Sequence, residues 1–178
     1  MSAEEVAESV FEQVSALAQI AASCGTRLTH VKPHGALYNQ AARNRELAAA
    51  IAEGVGRWSR EVVLVGLAGS SMLDVFRGAG FTVAGEAFAD RRYEQDGSLR
   101  SRKFADALIS DPVEAARQAL HIVEQAMVIA SDGTKVNVDA QTICIHGDTP
   151  GAPETAAAVA RTLGEAAISL RPLSTLNH

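Results

Sequence analysis

Apolar positions along this chain follow two alternating rhythms, one helical and one extended. Val6, Val10, Val14, Leu17 and Ala21 recur at helical spacing, which predicts an amphipathic helix with that stripe facing inward. Ser2 and Glu5 form an S-x-x-E capping box at its start, and Gly25 supplies the stop. Residues 28–32 read as a short strand running into Pro33. Leu47, Ile51 and Val55 predict a helix over residues 45–55, followed by a strand at 62–67. Ser71 is expected to cap a helix carrying Met72, Leu73 and Phe76, ended by Gly78 and Gly80, with the next strand at 81–88. Residues 90–104 are polar and show no apolar period.

The second half repeats the alternation. Asp111, Pro112 and Glu114 combine a cap, a first-turn proline and an acid at the positive end of a helix reaching about Met127. Residues 142–145 read as a buried parallel strand. Pro153 and Glu154 open the last helix, with Val159, Leu163 and Ala166 inward, and residues 167–170 are expected to form a final strand. Such alternation predicts an α/β fold of parallel strands with outer helices. The chain opens on a helix where a complete βα barrel opens on a strand, so the first strands are expected to be missing.

Composition narrows the picture. The chain has 178 residues, enough for one α/β domain. Aromatics make up only 4%, so Ala, Val, Leu and Ile must fill the core. Net charge is -5, with no lysine- or arginine-rich tract, which argues against nucleic-acid and anionic-membrane partners. No apolar run is long enough to span a bilayer, and the first residues lack a secretory pattern, so a cytoplasmic location is expected. Cys24 and Cys144 lie in no metal-ligand spacing and read as buried thiols.

Ligands of parallel α/β folds bind beyond the carboxyl ends of the strands, and three chemistry-bearing segments fall at such ends. In VKPHGALYN, residues 31–39, Lys32 suits an oxyanion and His34 an acid, base or metal ligand. A snorkelling lysine and a hydrogen-bonded turn histidine fit the same string. In GEAFADRRYEQDGSLRSR, residues 85–102, Glu86 and Asp90 supply carboxylates. Arg91, Arg92, Tyr93, Arg100 and Arg102 supply donors for a carboxylate or phosphate. A solvated loop is the bland alternative, and the Asp96-Gly97 turn argues for order. In ICIHGDTPGAP, residues 143–153, Asp148 is placed to orient His146 or act beside it. His30 is read as lining a helix–strand contact, and His121 and His178 as exposed. GLAGSS, residues 66–71, lacks the Walker spacing and is read as a turn and cap.

Together, VKPHGALYN, EAFADRRYEQDGSL with Arg102 beyond it, and TICIHGDTP resemble the LamB/YcsF family of 5-oxoprolinase A subunits, in the same order. The resemblance covers essentially the whole chain and implies a partial (β/α) barrel of the glycoside hydrolase/deacetylase type. It implies ATP-dependent opening of 5-oxoproline to L-glutamate together with B and C subunits, with Mg expected beside ATP. By motif match, Lys32, His34, Asp90, His146 and Asp148 carry over as catalytic residues. Asn39, Glu86, Arg91, Tyr93 and Arg102 carry over as substrate-binding ones. The family's DLNCDLGE-like, ANIACGFHAGDP-like and GAHP-like segments have no counterpart here. Residues 1–178 are therefore expected to form a single family domain, incomplete at its amino end, with any metal ligands of superfamily type lying in the absent segments. Exposed strand edges are the expected consequence unless another chain covers them; a homo-oligomer is compatible with that. A substrate-binding or docking component without chemistry, or an inactive fragment, is the rival expectation. Metal-dependent deacetylation or sugar hydrolysis follows from fold analogy alone.

Overall fold

A computed structural model describes residues 1–176. Helix α1 spans Ala3–Ser23, strand β1 His30–Val31, α2 Gly35–Ala41, α3 Arg45–Trp58, β2 Val63–Leu67, α4 Ser71–Gly78 and β3 Val83–Phe88. There follow α5 Pro112–Gln125, β4 Met127–Ile129, β5 Lys135–Asn137, β6 Thr142–Cys144, α6 Ala152–Glu165 and a 3-10 turn at Leu173–Thr175. Strands β1, β2, β3 and β6 form one sheet in that order, with β1–β2 and β3–β6 pairing parallel. The fold is thus α/β with parallel strands, as the alternation predicts, and a partial βα barrel, as the resemblance implies. Packing divides the chain into two compact units, Met1–Gly85 with the residues from Pro172 onward, and Glu86–Arg171.

In the first unit β2 is buried at every position, as a parallel strand covered on both faces must be. The capping box forms as predicted, with Ser2 Oγ accepting from the Glu5 N–H and Glu5 Oε2 accepting from the Ser2 N–H. Helix α1 lays Val6, Ala7, Val10 and Val14 against α3, and Gly54 permits the approach. Leu17, expected inside, is 54% exposed, although Val14 and Ala21 of the same stripe are buried. Ser70 rather than Ser71 precedes α4; it bonds back to the Leu67 carbonyl, while Ser71 reaches the carbonyl of Ala42. Cys24 is exposed, and so is His30.

The second unit packs α5 on α6. Ala115, Ala116, Ala119, Ala158, Val159 and Leu163 form its core together with Ala89 and Ile109. Strand β6 is half-buried rather than fully buried, because it pairs only with β3 at the edge of the sheet. The strand expected at 167–170 is absent. Instead α6 ends in a Schellman turn, with Ala167 at φ 57 and the Ile168 N–H returning to the Leu163 carbonyl. The hairpin of β4 and β5 was not predicted; its strands have only three residues each, too few to show a period. His121 is half-buried, and His178 lies outside the described residues. Among the described residues no helix is long and apolar enough to cross a membrane.

An alanine methyl at Gly54 would sit 2.9 Å from Val10 Cβ and collide with the Ala7 carbonyl. Gly54→Ala is therefore expected to lose about 1–3 kcal/mol. Gly164→Ala, whose methyl meets nothing within 4 Å, should gain about 0.5–1 kcal/mol. Urea unfolding of both variants checks the contrast; indistinguishable midpoints would refute this packing account.

Candidate active site

The register of β3 and β6 builds the site in the second unit. Glu86, Ala87 and Phe88 pair with Thr142, Ile143 and Cys144. The same 56-residue offset, carried one turn of the pleat further, brings Asp90 opposite His146. Asp90 Oδ2 accepts the His146 backbone N–H at 2.7 Å, and ring Nδ1 lies 3.0 Å from Oδ1 and 3.1 Å from Oδ2. The imidazole stacks on Phe88, ring centres 5.3 Å apart and planes 17° from parallel. Asp90 is buried while the His146 side chain keeps 21% of its surface.

Burial pushes the Asp90 carboxyl up, but the bonds from the His146 ring and backbone outweigh it and hold the group below its ordinary value of 3.8. An ionised Asp90 fixes the proton on Nδ1, which leaves the Nε2 lone pair free to accept one. The carboxylate that orients the imidazole is thus Asp90, not Asp148. Asp148 is exposed and stands 3.6 Å from Arg102 Nη1, too far for a hydrogen bond.

The long polar segment is ordered. Bridges pair Arg91 with Leu108 and Tyr93 with Leu99, and Gly97 turns the chain at φ 80 beside the Asp96 carboxylate. Two of its arginines are engaged internally. Arg92 pairs with Glu114 at 2.8 Å, and Arg100 binds Glu94 and Asp106 while lying over the Phe104 ring. Arg91 is buried and gives Nη2 to the Arg100 carbonyl at 2.6 Å, whereas its Nε has no hydrogen-bond partner. Burial and the neighbouring Arg102 both hold Arg91 below the usual arginine value. Two guanidiniums therefore stand close together near Asp90 and Asp148, an arrangement that favours an incoming anion.

Tyr93 is fully buried and its hydroxyl accepts the Phe88 N–H at 2.8 Å; burial raises its pKa. Its visible contact is to the backbone of β3. Glu86 is buried on the same strand.

In the first unit, Lys32 follows β1, and its Nζ lies 5.6 Å from the centre of the Tyr38 ring. Pro33 is buried, His34 is exposed, and Gly35 enters α2 at φ 61. Asn39 is exposed and donates to the Gly35 carbonyl one helical turn back. The turn that Gly35 allows is thus a helix start. Among the described residues no group of three or more His, Cys, Asp or Glu side chains could hold a metal ion.

Two residues escaped the sequence reading. Phe88 appears there only as a strand residue, although it carries the His146 ring. Gln118 lies on α5 between Ala115, Ala119 and Ile122, and its amide reaches three backbone carbonyls beside Asp90. A polar residue within an otherwise apolar stripe is the signal that could have found it.

The model of the LamB/YcsF family matches residues 1–178. The chain belongs to the LamB/YcsF family. A Chloroflexus aggregans protein, named as the A subunit of 5-oxoprolinase, is 52% identical over 171 residues, covering 96% of this chain and 68% of that protein. A Heliobacterium modesticaldum protein of the same name is 44% identical over 167 residues, covering 94% of this chain and 66% of its own length. The crystal structure of the lactam utilization protein from Thermus thermophilus matches with TM-score 0.88 and 44% identity, over 96% of this chain and 68% of that one. This LamB/YcsF chain thus spans about two thirds of the length of the relatives it matches.

Because the folded Asp90 carboxyl titrates below 3.8, its ionised form contributes stability that is complete above that value and fades as pH falls beneath it. Wild type should exceed Asp90→Asn in stability at about pH 6, with the gap closing in acid below the ordinary carboxylate value. Urea midpoints across a pH series measure this, and a gap that ignores pH would contradict it.

Proposed function

We propose that this chain acts as the A subunit of a 5-oxoprolinase, opening 5-oxoproline to L-glutamate with hydrolysis of ATP, together with B and C subunits in the cytoplasm. The reading is carried by the pairing of buried Asp90 with half-buried His146 beside Arg91 and Arg102, in a chain 52% identical to a protein of that name.

The chemistry explains the need for ATP. Amide resonance makes the lactam carbonyl a poor electrophile. Transfer of the terminal phosphoryl group to the carbonyl oxygen, with ADP leaving, removes that protection. Water then adds to the ring carbon and loses a proton. The ring C–N bond breaks as the nitrogen gains a proton, which leaves the acyl phosphate of glutamate; a second water then cleaves that mixed anhydride, giving glutamate, ADP and phosphate. In this scheme His146 Nε2 takes the proton of the water and returns one to the ring nitrogen, while Asp90 stabilises the imidazolium. Arg91 and Arg102 balance the substrate carboxylate or the phosphoryl oxygens. Asp148 positions water, and as an exposed carboxylate it could also share a Mg ion arriving on the nucleotide, since Mg takes one or two carboxylates plus phosphates. Lys32 serves as an oxyanion partner and His34 as an acid or base. Asn39 and Glu86 are assigned to substrate binding, and Tyr93 to holding the Phe88 backbone.

The assay is formation of ADP and glutamate dependent on 5-oxoproline, by the complete subunit set. His146→Ala and His34→Ala should each lower kcat by about 10²- to 10⁴-fold. Unchanged rates in both variants would sink the assignment.

A further inference from the structure

Gln118 projects from the buried stripe of α5 toward the end of β3. Its Nε2 lies 2.8 Å from the Phe88 carbonyl oxygen, 3.2 Å from that of Ala89 and 2.8 Å from that of Arg91. The carbonyl of Asp90, between them, accepts the Ile109 N–H at 2.9 Å. Four consecutive carbonyls are thereby tied, three of them by one side chain. An amide nitrogen carries two protons, so one is shared between acceptors.

This arrangement controls a direction. The peptide planes on either side of Asp90 determine where its side chain points. That carboxylate in turn meets both the backbone and the ring of His146. The Ala89 N–H is held to the Cys144 carbonyl on β6, which anchors the segment from the strand side while Gln118 anchors it from the helix side. We infer that Gln118 is a positioning residue: it aims Asp90 at His146 and so sets the Nδ1–H tautomer of the imidazole, without touching substrate. The inference rests on reading Asp90–His146 as the proton-handling pair of the proposed reaction.

The test uses the full chain carrying Gln118→Met, which keeps the length and removes the donors, and Gln118→Lys, which restores donors at the same place. Histidine ¹⁵N resonances, with His146 assigned by comparison with His146→Ala, report its tautomer; ¹³C resonances report the Asp90 carboxyl. Gln118→Met is expected to lose the fixed Nδ1–H signature and to move the Asp90 midpoint upward, toward 3.8. In the complete subunit set its kcat should fall by about tenfold to a hundredfold, with KM within about twofold of wild type. Gln118→Lys should recover both signals. Should the Met variant fail to fold, Gln118→Asn, whose donors are drawn back by about 1.5 Å, is expected to show the same loss. A wild-type His146 signature in a folded Met or Asn variant, or equal behaviour of Met and Lys, overturns the inference. Absence of 5-oxoproline turnover in the wild-type assembly would instead defeat the functional reading, and the resonances would still decide the role of Gln118.

Discussion

A carboxylate that is 2% exposed must find donors inside the protein or give up its charge. Asp90 finds them in residue 146, one strand away, through both its backbone and its ring. That solution exists only in one register of β3 against β6, because a slip of one residue would turn the side chains to opposite faces. The buried charge and the strand pairing therefore specify each other. The stacking of Phe88 on His146 adds a third restraint, since Phe88 belongs to the same paired stretch of β3. Fixing this one pair fixes the strand ends, the tautomer of the imidazole and the starting point of the polar segment after Asp90.

The alanine-rich core of the second unit serves the same arrangement. Ala115, Ala116 and Ala119 on α5 meet Ala89 and Ala158, and small side chains let a helix approach closely. A Gln side chain reaches only a few bonds from its helix, so a larger-residue core would hold α5 too far away for Gln118 to touch the Phe88, Ala89 and Arg91 carbonyls. The low aromatic content, which first suggests only a core of aliphatic residues, has its local meaning here.

What the sequence disclosed follows from the range of the interactions involved. Helix α1 with its capping box, the Asp111–Pro112 start of α5 and the run of β2 are local signals, and all three stand where the pattern predicts. Burial of Leu17 and β6 is not legible in the pattern: the helical spacing does not separate Leu17 from its buried stripe-mates Val14 and Ala21, and β6 has a single neighbour in the sheet. The strand expected at 167–170 lost to a helix cap, since a left-handed Ala167 is invisible in composition. In the site, the motif drew attention to His146 and Asp90 separately, yet the nearest carboxylate in sequence, Asp148, looked the better partner. Only the parallel pairing, which spans 56 residues, reveals that Asp90 fills that place.

The arginines make the same point and extend it to chemistry. Arg91, Arg92, Arg100 and Arg102 are equivalent as donors in sequence, and the fold sorts them. Arg92 and Arg100 have carboxylate partners at 2.8–2.9 Å. Arg91 donates to a carbonyl, which carries no compensating charge, and Arg102 meets Asp148 only at 3.6 Å. Two guanidiniums repelling one another, one of them buried, are held together at a cost in free energy. An anion placed between them relieves that repulsion and gains charge-assisted hydrogen bonds at once. Had Arg91 been neutralised as fully as Arg100, the same loop would be a structural staple with little reason to attract a carboxylate or a phosphate. It is the incomplete pairing, set beside an imidazole oriented by Asp90, that leaves this loop electrostatically suited to an anion.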